Sequence, residues 1–137
     1  MSLPTTAIAV GTELPPLAVG RITRTTLALF AGASGDHNPM HIDIDVARSA
    51  GLDDVFAHGM LSMAYLGRIL TDWVGPERIR SFGVRFGAIT PVGAEPTATA
   101  TVAAIEDVDG ESRAQLDLAI TLPDGTVTLT GTAVIAL

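Results

Sequence analysis

The sequence predicts an α+β domain in which an antiparallel β-sheet wraps around one long buried helix. Two observations carry this. First, residues 59–74 spread Met60, Leu61, Met63, Ala64, Leu66, Leu70 and Trp73 over so much of a helical circumference that little is left for water; a helix apolar nearly all round is a buried one. Second, after Gly75-Pro76 the apolar period falls from that of a helix to two, the period of a half-buried strand. One apolar sheet face and one apolar helix then bury each other most economically when the sheet wraps the helix.

The elements follow in order. The first 20 residues are rich in Pro, Thr and Gly and read as a surface lead-in with one strand. A helix is expected over 23–33, with Thr23 or Thr25 as N-cap and Leu27, Phe30 and Ala31 at helical spacing. The cluster Ser34-Gly35-Asp36-His37-Asn38-Pro39 ends it in a turn. A short helical turn over 43–49 stops at Gly51, and the long helix follows. Strands are expected over 80–88 and 97–105. In the next, Leu116, Leu118, Ile120 and Leu122 alternate with Gln115, Asp117, Ala119 and Thr121. In the last, Val127, Leu129, Ala133 and Ile135 alternate with threonines. Asp109-Gly110 and Asp124-Gly125 are hairpin dipeptides, so an antiparallel meander is expected.

Composition narrows the function. A chain of 137 residues, 47% hydrophobic and 17% charged, fits one domain over 1–137 with a real core. There is no cysteine, hence no disulfide, thiolate metal site or cysteine nucleophile. All eight cations are arginines, which removes Schiff-base lysine chemistry. A net charge of −7 opposes nucleic-acid binding. The N-terminus lacks a signal-peptide pattern and no stretch is long and apolar enough for a membrane span, so a cytoplasmic protein is expected.

The chemistry is concentrated in Ser34-Gly35-Asp36-His37-Asn38-Pro39-Met40-His41. Pro39 bars a continuous helix, so the chain can fold Asp36 and His41 toward each other. A carboxylate beside an imidazole suits general acid–base work. A second patch, Ala57-His58-Gly59-Met60, starts the long helix, where free N–H groups and the positive helix end can hold a developing oxyanion. The small residues Ser62, Ala64 and Gly67 let a ligand or a second backbone come close. Bland readings stand beside these: Asp36 as a turn residue, His58 as a capping or packing residue, and Met60, Met63 and Tyr65 as core. His37 and His41 have the i, i+4 spacing of a metal pair, but Pro39 breaks the helix that gives it meaning, and no third ligand has recognisable spacing. No metal is expected.

The two patches together resemble the MaoC-like family of hot-dog proteins, which includes (R)-specific enoyl-CoA hydratases and 3-hydroxyacyl-thioester dehydratases. The likeness extends through Thr71-Asp72-Trp73-Val74-Gly75 and Val84-Arg85-Phe86 to Pro91-Val92-Gly93, roughly residues 11–101. It implies a hot-dog fold and a homodimer, or a heterodimer with a related chain. It implies an acyl-CoA or acyl-carrier-protein thioester as substrate and no cofactor. On that resemblance Asp36 and His41 hold the water and move protons at C2 and C3, and the Gly59 amide binds the thioester carbonyl. Asn38 shapes the turn, while His58 and Ser62 support the site or line it. Arg78, Arg80 and Arg85 are candidates for the phosphates of the substrate's carrier arm. The rival expectations are a non-catalytic subunit of a heterodimeric dehydratase and a hot-dog thioesterase.

Overall fold

The computed structural model describes residues 7–137. Five antiparallel strands form one curled sheet: β1 (Leu17–Ala18), β2 (Ile79–Phe86), β3 (Thr97–Val108), β4 (Glu111–Thr121) and β5 (Val127–Ala136), in the order β1-β3-β4-β5-β2. The last three strands are the expected meander. β2 does not begin it; it pairs with β5 on the far side, so the sheet closes round from the opposite edge. At the β3–β4 hairpin Asp109 and Gly110 both take positive φ, 54° and 81°, as a two-residue turn requires.

Among the described residues three α-helices precede the main strands: α1 (Arg24–Ser34), α2 (Ile44–Ser49) and α3 (Gly59–Thr71). Thr23 caps α1 by accepting from Thr26 N–H, and Gly35 ends it in the left-handed conformation at φ 76°. Asp43 caps α2 by accepting from Asp45 and Val46. α3 packs against the inner face of the sheet. There Leu66, Ile69, Leu70, Trp73 and Val74 meet Leu116, Leu118, Ile120, Leu129 and Ile135, and Ala98, Ala100, Ala114 and Ala133 let the helix sit close. Leu66 and Leu70 are fully buried, each contributing about 1.5–3 kcal/mol.

Two expectations need correction. α3 is not buried all round: Met60, Ala64 and Arg68 form an exposed stripe at i, i+4 spacing, because a half-barrel covers one side of a helix. The alternation also breaks at the start of β5. The register slips there, with Ile120 opposite Leu129 and Thr121 opposite Val127. The extra residue of this bulge is Thr128, which is buried and donates its hydroxyl to the Ile120 carbonyl, while Val127 is left exposed.

A second, smaller core of Ile22, Leu27, Ala47, Val55, Ala57 and Leu61 joins α1, α2 and the start of α3. It fixes the segments that carry the chemical residues.

Candidate active site

After Gly35 the chain runs through nested side-chain turns. Ser34 Oγ accepts from Asp36 N–H at 3.1 Å, Asp36 Oδ1 from Asn38 N–H at 3.2 Å, and Asn38 Oδ1 from Met40 N–H at 3.1 Å. Pro39 opens a single 3₁₀ turn, Pro39–His41, and the Asn38 carbonyl accepts from His41 N–H at 3.0 Å. This tight turn carries His41 inward to 7% exposure, while His37 stays exposed.

The His41 ring is fixed on two sides. Its Nδ1 lies 2.7 Å from the Phe56 carbonyl; a carbonyl only accepts, so Nδ1–H donates, and in the neutral ring Nε2 holds the lone pair. The Phe56 ring meets it edge-on, with centroids 4.8 Å apart. Nε2 then faces Asp36 Oδ2 at 3.9 Å, with the Asp36 side chain 45% exposed. That distance is too long for a direct hydrogen bond and leaves room for one small polar group in contact with both.

His58 completes the cluster. It is fully buried, donates Nε2–H to the Asp36 carbonyl at 3.1 Å, and stacks on His41 with centroids 4.0 Å apart. Burial holds its imidazole below the usual histidine range, opposed by the hydrogen bond to Asp36. His58 occupies the N-cap position of α3, but its side chain makes no capping hydrogen bond; the ring lies against His41 and Phe30 instead. The amide of Gly59, the first residue of α3, finds no acceptor among the described residues.

Beside Gly59 lies an open cavity of about 390 Å³, lined among others by Phe56, Gly59, Ser62, Phe86, Thr90 and Leu129. Phe56 belongs to both features, fixing His41 through its carbonyl and lining the cavity. The Phe86 ring lies so close to Gly59 that a Cβ there would sit 2.9 Å from Cε1. Ser62 is 2% exposed.

The structure therefore brings Asp36, His41 and His58 together, with one ligand-type atom from each within 4.8 Å of the others, and sets Gly59 and Ser62 on the adjoining cavity wall. Asn38 stays on the turn and reaches His41 through its backbone carbonyl. As the break at Pro39 implies, His37 does not join His41; the second imidazole beside it is His58. Phe56, Thr90 and Leu129 carried no sequence signal for the site. Of the arginines considered for phosphate contact, Arg80 is engaged elsewhere, donating to Glu111 at 2.9 and 2.7 Å.

A curled antiparallel sheet packed on a long helix, with a carboxylate–imidazole pair beside that helix's N-terminus, defines a hot-dog domain with an acid–base site. The chain belongs to the MaoC-like domain family, whose model matches residues 8–121. It is similar to 3-hydroxyacyl-thioester dehydratase Z of Mycobacterium tuberculosis, 32% identical over 93 residues, covering 64% of this chain and 62% of that protein. It is also similar to the (R)-specific enoyl-CoA hydratase of Rhodospirillum rubrum, 37% identical over 83 residues, covering 59% of this chain and 58% of that protein. The chain thus spans about three fifths of the curated relatives it matches. Among solved structures, the (R)-hydratase from A. caviae involved in PHA biosynthesis superposes with a TM-score of 0.84 at 27% identity, covering 97% of this chain and 99% of that one. The ChsH1–ChsH2 complex from Mycobacterium tuberculosis gives 0.82 at 26% identity, covering 96% and 99%.

Proposed function

We propose that residues 1–137 act as one MaoC-like domain that adds water reversibly across the C2–C3 double bond of a trans-2-enoyl thioester, giving the (R)-3-hydroxyacyl thioester. One observation carries this: the His41 Nδ1–H bond to the Phe56 carbonyl leaves an Nε2 lone pair facing the Asp36 carboxyl across 3.9 Å, beside a helix N-terminus with an unengaged amide.

In hydration His41 Nε2 takes a proton from water as its oxygen bonds to C3. Asp36 delivers a proton to C2, and the Gly59 N–H steadies the enolate oxygen between the two events. The proton on His41 then returns to Asp36, so the site ends as it began. Dehydration runs the same steps backward. A positioned acid or base contributes about 10²–10⁴-fold and one oxyanion donor about 10²–10³-fold, enough without a metal or redox cofactor. The His41 and His58 rings also argue for acid–base work over a shared ion. A metal bound by both must lie in both ring planes about 2.0–2.1 Å from each nitrogen. Planes inclined by 29° with centroids 4.0 Å apart do not meet that close.

The acyl chain enters the cavity between α3 and the β2–β3 connection, and the CoA or acyl-carrier-protein arm extends outward. The chain works as a homodimer, with a related hot-dog chain as the alternative partner. β2 ends the sheet, and Met60, Phe86 and Ile89 expose apolar surface that a partner would cover.

The test is loss of the enoyl-thioester absorbance when purified protein meets crotonyl-CoA and a longer 2-enoyl-CoA, with products weighed by mass spectrometry. A gain of one water with the thioester intact is the expected result. Free CoA would reassign the chain as a thioesterase. No reaction with CoA or carrier-bound substrates would leave a non-catalytic acyl-binding subunit.

A further inference from the structure

The proposed chemistry uses Asp36, His41 and Gly59 and leaves the third imidazole without a task. His58 is held on three sides. Its Nε2–H donates to the Asp36 carbonyl at 3.1 Å, one ring face stacks on His41 at 4.0 Å and 29°, and the ring meets Phe30 edge-on at 4.8 Å. Because Nε2 carries the proton, Nδ1 is bare, and it is buried without a hydrogen-bond partner among the described residues. An orphaned buried acceptor costs free energy that a phenyl ring in the same place would avoid, so filling space does not account for an imidazole here.

We infer that His58 is the positioning residue of the acid–base site, holding Asp36 through its N–H, His41 through its ring face and Gly59 through the peptide bond that joins them. This rests on the hydratase reading of Asp36 and His41. One anchor then sets the mutual placement of the proton donor, the base and the oxyanion donor, which otherwise come from two separate segments, 36–41 and 58–59. The neutral form of its ring is favoured. Desolvation disfavours protonation, and a charged His41 against its face would disfavour it further, while Asp36 alone pulls the other way. α1 presents the Phe30 ring to it, which does not titrate.

Two substitutions in the full chain separate the contacts. His58→Phe keeps the ring and removes the N–H; His58→Gln keeps an amide N–H for the Asp36 carbonyl and removes the ring. With a melting curve to verify folding, His58→Phe is expected to lower kcat by about tenfold or more with KM changed less than threefold, since misplacement of reacting groups penalises the chemical step. His58→Gln should recover part of that loss. A folded His58→Phe enzyme with kcat within twofold of wild type overturns the inference and leaves the roles of Asp36 and His41 standing. Nitrogen NMR of the unsubstituted protein decides the matter if the variants do not fold, and it needs no substrate. Neutral His58 should carry its proton on Nε2, as its bond to the Asp36 carbonyl requires, while neutral His41 carries its proton on Nδ1. A neutral His58 that carries its proton on Nδ1 overturns the inference even if the enoyl thioester is turned over.

Discussion

Replacing Asp36 by Asn separates the chemistry of the site from its architecture. Oδ1 of Asp36 accepts from Asn38 N–H at 3.2 Å, and this bond builds the turn. Oδ2 faces His41 Nε2 at 3.9 Å and is the atom placed to handle protons. An asparagine keeps the first oxygen and exchanges the second for an NH₂ group, which cannot deliver a proton to carbon. The side chain is 45% exposed, so the change in stability should stay within about 0.5 kcal/mol. The lost proton transfer is worth about 10²–10⁴ in rate, or about 2.7–5.4 kcal/mol at about 1.36 kcal/mol per tenfold. KM should move little, because Asp36 is not among the residues that line the cavity proposed for the acyl chain. The assay is enoyl-thioester hydration followed by absorbance, with wild type and variant compared at several pH values and a melting curve taken on each. A variant with an unchanged melting temperature and more than about a tenth of wild-type kcat would refute the role given to Asp36.

Three further outcomes are expected. A Cβ at Gly131 would lie 2.6 Å from the Gly83 carbonyl oxygen and 3.1 Å from Val84 Cγ1. Gly131→Ala should therefore push β2 off β5 and cost about 1–3 kcal/mol, read as a lower melting temperature; an unchanged one would contradict the strand register. The fork of Arg80 and the Nε–H of Arg113 hold the Glu111 carboxyl down to about 2 from its ordinary 4.5. A folded-state value below the unfolded one contributes stability above about pH 4.5 and loses it as the pH falls toward 2. The melting-temperature gap between wild type and Glu111→Gln should then be full at pH 6 and vanish near pH 2, and a pH-independent gap would exclude that ion pair as its source. Ser62→Leu fills a buried position on the cavity wall and should lower kcat/KM for a long enoyl thioester about tenfold relative to crotonyl-CoA; equal losses on both would place the acyl chain elsewhere.

How much of this was legible beforehand follows from how local each feature is. Thr23, Gly35 and Asp109-Gly110 act on their own neighbours, and the cap, the helix end and the hairpin lie where the sequence puts them. The placement of β2 beside β5 is set by pairing across 43 or more residues, and no local pattern encodes it. The bulge at Thr128 inverts the inside–outside parity of one residue, which alternation cannot anticipate. The site divides the same way. Asp36 and His41 lie five residues apart around a proline, so their meeting could be inferred. The bonds that give His41 and His58 their tautomers end on the carbonyls of Phe56 and Asp36, and a carbonyl is present at every residue, so it leaves no signature in a sequence. The overestimate of burial on α3 has a different cause. Met60 and Ala64 are apolar for a surface that one half-barrel does not cover, and a sequence records only that a face avoids water. Exposed Phe86 and Ile89 at the cavity wall and the unpaired outer side of β2 extend that apolar surface from the helix to the sheet edge. Burial of α3 was thus expected from residues whose cover, on the dimer reading, comes from a second chain.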